Sequence, residues 1–307
     1  FSAQTELSSL PSGGNLLGFL LLISARFLAI ESYVYMDGWT TPRKHFFYFF
    51  IFSSILTISN FYIRTFHILA PELANMENSD FIEEIVAFDF PGHGLSSHKS
   101  ADNVQVLSDY AQYVMEALSW LGWYKPGEKN DSKQITVIGH SMGAGVATFV
   151  AAAWPDHIRS LVLVESFGPV FRNVSDVAKH LRASCEKRMQ SNRTLYADGL
   201  NRSRIYPTID IAVKTRMYTA KMCPGEQYIS KEAAEALVGR GTLQVKNEGV
   251  RFRHDPRLSW PSIQYNTQNQ IEHLWRSIRA PVCVIKGDDG WPLTEEYSEF
   301  VPKIRPL

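Results

Sequence analysis

Between Gln134 and Ala147 the chain reads QITVIGHSMGAGVA. A β-branched run, Ile135-Thr136-Val137-Ile138, meets Gly139-His140-Ser141-Met142-Gly143 and passes into an Ala- and Gly-rich helical pattern. Strand, sharp turn and helix form the context that a G-x-S-x-G nucleophile elbow requires. The glycines two before and two after the serine leave room for a strained backbone, so that the hydroxyl stands exposed at a strand end. The helix behind it aims its N-terminal amides at the spot where an oxyanion would form. Ser141 is therefore the first candidate for a nucleophile. A chance pentapeptide in a loop would lack both flanks.

The remaining segments build a sheet around that turn. EEIVAFDF (83–90) reads as a buried strand stopped by Pro91-Gly92-His93-Gly94. Val106, Tyr110, Val114, Leu118 and Leu121 recur at helical spacing, with Gly122 as a C-terminal stop. Ile158 to Val164 reads as another buried strand, ending at Glu165, and VCVIKG as a last one, followed at once by Asp288-Asp289-Gly290-Trp291-Pro292. Strands alternating with helices specify a mostly parallel sheet covered on both faces. The stretch from about 168 to 275 shows helical patterns such as SDVAKHLRASCEKRM and SKEAAEALVGRG without a good strand signal, and is expected to be a helical cap inserted into a single α/β domain spanning 1–307. A hydrophobic content of 45% supports a core of that size.

Lys and Arg together number 31 and Asp and Glu 31, so charge gives no argument for nucleic acid or an acidic membrane surface. Cys185, Cys223 and Cys283 are far apart and in no C-x-x-C spacing, which fits buried thiols in a reducing compartment better than a disulfide framework or a zinc site. Residues 47 to 63 carry no charge and follow Arg43 and Lys44, the length and flank pattern of a single membrane anchor. The expected location is cytoplasmic, with a membrane-anchored form as the alternative. In the earlier apolar run 15–30, Arg26 argues against a span. Four N-x-S/T triplets, at Asn130, Asn173, Asn192 and Asn201, arise easily by chance.

Taken together, FDFPGHGLSSH, GHSMGAG, the segment VGRGTLQVKNEGVRFRHDPRLSW and PVCVIKGDDG resemble the α/β-hydrolase superfamily, and within it the serine hydrolase-like proteins close to the epoxide hydrolase and dehalogenase branch. The resemblance runs from about Phe66 to Trp291. It implies an α/β-hydrolase fold, Ser141 as nucleophile, the amide of Met142 as one oxyanion donor, and an acid on the loop after the last strand, with Asp289 first and Asp288 second. Glu165 is a further position for the acid. A serine in place of the aspartate of epoxide hydrolases and dehalogenases implies an acyl-enzyme and hydrolysis of an ester, thioester or amide of a small to medium acyl substrate, with no cofactor, no metal and no nucleic acid.

Two departures from the family pattern stand out. The order on this fold is nucleophile, acid, histidine, and no histidine follows His273. His140, His93, His254 and His273 each have a structural reading, so the expectation is that a C-terminal strand, histidine loop and helix are missing. A non-catalytic scaffold binding a small ligand or partner is the alternative. The second departure concerns the other oxyanion donor. The nearest match to the family's His-Gly-Trp turn is Asp37-Gly38-Trp39, which makes Gly38 the candidate, and an apolar insert at about 40–64, foreign to the fold, separates it from Phe66.

Overall fold

The computed structural model describes residues 47–54, 69–75, 82–100, 103, 106–127, 134–198, 204–223 and 227–287. In chain order the first half supplies β1 (Phe47–Ser54), α1 (Leu69–Ala74), β2 (Ile82–Phe88), α2 (Asp109–Trp120), β3 (Gln134–Ser141), α3 (Met142–Ala153) and β4 (Ile158–Val164). The second half supplies α4 (Val177–Asp198), β5 (Ile205–Tyr206), α5 (Ile209–Lys221), α6 (Lys231–Gly241), β6 (Thr242–Val245), β7 (Gly249–Phe252), α7 (Gln268–Ser277) and β8 (Val282–Ile285).

Five strands pair in the order β2-β1-β3-β4-β8, every pair parallel. Parallel strands are covered on both faces, so their sequences read as unbroken apolar runs. Alternate residues then serve opposite layers. Ile135, Val137, Leu161 and Leu163 pack with Val114 and Leu118 of α2, Val146 and Val150 of α3, and Ile271 and Trp275 of α7. Ile138, Val162, Val164 and Ile285 face the other way, against Leu69 of α1. Burying a side chain such as Leu161 or Leu163 contributes about 2 kcal/mol, and these two are fully buried, which fixes the register of β4.

The apolar segment expected as an insert or anchor requires a correction. Its described part, 47–54, is β1, which lies between β2 and β3 in unbroken parallel register with β3 from Phe47↔Gln134 to Ser54↔Ser141. An uncharged run is what a central parallel strand needs, because both of its faces are covered. The flanking parts, 40–46 and 55–64, lie outside the described residues, as do Gly38, Asp288 and Asp289. Among the described residues no helix is long and apolar enough to cross a membrane.

The segment after β4 is not purely helical. The SDVAKHLRASCEKRM and SKEAAEALVGRG patterns form α4 with its leading 3-10 turn (Val174–Asp176), and α6 capped by the Ser230 hydroxyl, which accepts from the Ala233 N–H. Between and after them, however, β5, β7 and β6 make a three-stranded antiparallel sheet. Its own small core joins Tyr206 and Val250 to Ala212 and Val213 of α5 and Ala234 and Val238 of α6. α7 belongs to the main layer rather than to the cap, since its Ile271 and Trp275 are buried there. The three cysteines form no disulfide and are half-buried, and burial pushes the Cys283 thiol up to about 11.

Candidate active site

Ser141 ends β3 and stands directly before α3, at φ 53° and ψ −117°. A β-carbon on Gly139 would lie 2.5 Å from the Gly143 carbonyl oxygen and 2.7 Å from the Ala144 amide nitrogen, so the turn can close only with glycine there. Behind it, α3 packs so closely that a β-carbon on Gly145 would meet Leu107 at 3.0 Å and Pro169 at 3.3 Å. The first amides of a helix have no acceptor within it, and Met142, buried, is the first residue of α3. Ser141 is half-buried beside it. The strand–turn–helix read from the sequence is thus formed in full, with the serine on the strained residue.

The strand ends around this turn come from three directions. On one side Ser53 and Ser54 of β1 stand opposite His140 and Ser141, so the chain leaving β1 starts beside the elbow. On the other side Val164 of β4 stands opposite His140, and Ile285 of β8 opposite Val164. The residue after Val164 is Glu165, at φ 56°. Its carboxylate accepts from Lys286 Nζ at 3.0 Å and from the backbone N–H of Gly287. Asp288 and Asp289 follow Gly287 directly. His140 is buried, and burial lowers its pKa to about 4 against a small opposing pull from Glu165, so the ring is neutral at pH 7.

A second group of polar residues joins the cap to the PGHG turn. Asp89, buried at the end of β2, accepts from Arg240 of α6 at 2.8 Å and from the Leu95 N–H at 3.0 Å, while its carbonyl accepts from the Ser96 hydroxyl. The turn wraps so tightly around that carboxylate that a β-carbon on Gly94, at φ +50°, would overlap it. Asp255, with 0% exposure, takes two guanidinium nitrogens of Arg257, Nε at 3.0 Å and Nη2 at 2.7 Å. Arg257 also donates to the carbonyls of Lys99 and Ser100, and the Asp255 N–H donates to the Gly92 carbonyl at 2.8 Å. His98 spans the same seam, its Nε2 2.7 Å from the Arg253 carbonyl. Arg240 and the Asp255–Arg257 pair, both within the segment VGRGTLQVKNEGVRFRHDPRLSW, therefore fasten the cap to the core. A buried, bidentate pair is satisfied only with both partners present.

His93 sits in this seam with its pKa lowered by burial, and His254 nearby is lowered to about 4, by burial first and by His93 next. Among the described residues no cluster of three His, Cys, Asp or Glu could hold a metal ion. Sequence reasoning missed the role of Lys286 and Gly287 as partners of Glu165. The signal available was their position immediately ahead of the Asp pair.

Comparison with known proteins agrees with this geometry. The family model for the alpha/beta hydrolase fold matches residues 51–195, from within β1 to within α4. A serine hydrolase-like protein of Danio rerio is 30% identical over 78% of this chain and 67% of its own length. Serine hydrolase-like protein 2 of Homo sapiens is 27% identical over 70% of the chain and 63% of its own. The chain therefore spans about two thirds of the length of these relatives. Among solved structures, a hypothetical protein of Pseudomonas aeruginosa superposes with a TM-score of 0.64 at 28% identity, covering 80% of this chain and 75% of that one. With the elbow, the parallel sheet and the fastened cap all in place, the chain belongs to the α/β-hydrolase superfamily and, within it, to the serine hydrolase-like proteins.

Proposed function

We propose that Ser141 is the nucleophile of an esterase-like activity that cleaves an ester, thioester or amide of a small to medium acyl substrate through an acyl-enzyme. The observation that carries this reading is the backbone of Ser141, held in the left-handed region between β3 and the first turn of α3. Positive φ at a non-glycine residue persists only where the surroundings impose it, and such sites cluster where strain serves function. The hydroxyl then attacks an acyl carbon while the Met142 amide receives the oxyanion, and no cofactor is required.

Asp289, with Asp288 as second choice, is the acid in this reading. The base in this reading is a histidine, which on this fold follows the acid in the chain. The second reading is a scaffold that binds a small ligand without turning it over. A fluorophosphonate probe separates the two on the 307-residue chain. Labelling that disappears in Ser141→Ala supports the hydrolase. Labelling indifferent to Ser141→Ala removes it and leaves the scaffold.

A further inference from the structure

We propose that the cap carries a docking face for an anionic lipid surface: an exposed apolar ridge of α4, bordered by lysine and arginine, that lies on the membrane rather than crossing it. Lipid binding at this face does not depend on the chemistry assigned to Ser141.

The even charge balance of the whole chain hides an uneven distribution. With α7 in the main layer, the cap comprises residues 168–267, and these hold 17 Lys and Arg against 9 Asp and Glu, a net charge of +8. The remaining residues hold 14 against 22, a net charge of −8. An asymmetry of this size attracts the cap, and not the core, to an anionic surface. Apolar exposure follows the same division. Of the thirteen large hydrophobic side chains that stand exposed among the described residues, ten lie from Val170 to Tyr228.

On α4 the two properties meet. Side chains four apart on a helix form a continuous ridge. One ridge, His180, Ser184 and Arg188, docks on the stretch leading into α7. The rings of His180 and Tyr265 have centres 5.1 Å apart, the Ser184 hydroxyl donates to the Pro261 carbonyl at 3.0 Å, and the Arg188 guanidinium lies 5.6 Å from the Trp260 ring. The adjacent ridge is Val177, Leu181, Cys185 and Met189. Its three large apolar members are 55%, 45% and 60% exposed, and Val174, in the turn just before the helix, is 67% exposed. The two ridges beyond it carry Lys179, Arg182 and Lys187, all exposed, against Glu186 alone. An apolar row beside cations suits a helix lying in the headgroup layer, with aliphatic side chains among the acyl chains and cationic groups at the phosphates. The aliphatic row also separates this partner from nucleic acid, whose phosphates would meet the cations but whose bases stack on aromatic rings.

Co-sedimentation of the 307-residue chain with sucrose-loaded vesicles tests the docking. Vesicles of phosphatidylcholine with about 30% phosphatidylserine are expected to bind it at least about tenfold more tightly than phosphatidylcholine alone, and salt raised from about 0.05 M to about 0.5 M to weaken that binding severalfold. Leu181→Ser combined with Met189→Ser is expected to weaken it at least about tenfold. Arg182→Gln combined with Lys187→Gln should do the same, by about tenfold or more. All four side chains are exposed, so the variants keep the fold, which circular dichroism checks. Trp120→Ser, which removes a ring of α2 that is 93% exposed on the core, is expected to leave binding within about twofold. Equal binding of anionic and neutral vesicles, or unchanged binding in either double variant, overturns the proposal. Dimers that form without vesicles and that the Leu181 and Met189 changes dissolve would make the ridge an interface between copies and overturn it as well.

Discussion

Ser141 and Glu165 follow the paired residues His140 and Val164 on adjacent parallel strands, and both leave their strand with positive φ, 53° and 56°. Asn247, in the turn between β6 and β7, is the other non-glycine residue described with positive φ. At Asn247 a short polar side chain suits the conformation. At the sheet's carboxyl edge nothing in the residue type relieves it, so the strain is imposed by the packing of α3 and of the chain entering the cap. Gly139 closes against Gly143 and Ala144, and Gly145 lies against Pro169. The two strained residues are thus held by one packed unit.

Relief of that strain should be measurable. Ser141→Gly removes the β-carbon penalty, which is on the order of 1–3 kcal/mol at such a residue, and adds chain entropy to the unfolded state worth about 0.5–1 kcal/mol. The expected net effect is a gain of about 1 kcal/mol in urea unfolding together with complete loss of fluorophosphonate labelling. Ser141→Ala should lose labelling without the gain. Equal stability of the two variants would show that the elbow is unstrained.

The fastening of the cap offers a larger effect. Arg257→Met leaves Asp255 fully buried without its guanidinium partner, and leaves the carbonyls of Lys99 and Ser100 without their donor. Breaking a buried pair from one side typically costs about 3–5 kcal/mol. Replacing both residues, Asp255→Asn with Arg257→Met, should recover part of that loss, because no buried charge remains. A double variant less stable than Arg257→Met alone would mean that Asp255 contributes beyond the pair, through its N-cap bond to the Arg257 N–H.

Much of this architecture is legible in the sequence. The elbow, β4 and β8 declare themselves because buried parallel strands are continuous apolar runs bounded by glycine or charge. β1 was misread for the same reason: an uncharged Phe-rich run is as good a membrane anchor as it is a central strand, and only its neighbours β2 and β3 decide between them. The hairpin β6–β7 escaped because four-residue strands are too short to show a period. Asn247 and Gly249 were the available turn signal. The segment VGRGTLQVKNEGVRFRHDPRLSW carries the family resemblance, yet Arg257 within it serves carbonyls of the loop after β2, which sequence spacing does not connect to it.

Three histidines make stability depend on pH in a direction that follows from their burial. His140 and His254 are lowered to about 4, and His93 is lowered as well, in each case with burial as the largest cause. In the unfolded chain such rings take up a proton near the ordinary value of about 6.5. Between there and about 4 the unfolded state therefore binds more protons than the folded one, so stability is full above pH 6.5 and falls as pH drops through that window. From His140 alone the loss between pH 7.5 and pH 5 is about 2 kcal/mol. Urea midpoints measured at the two pH values should differ accordingly, with His254 and His93 adding to the slope. In His140→Ala the absolute stability falls through the cavity it leaves, but the difference between the two pH values should shrink by about 2 kcal/mol. A pH dependence as steep in His140→Ala as in the parent chain would show that the ring on β3 takes up its proton without unfolding.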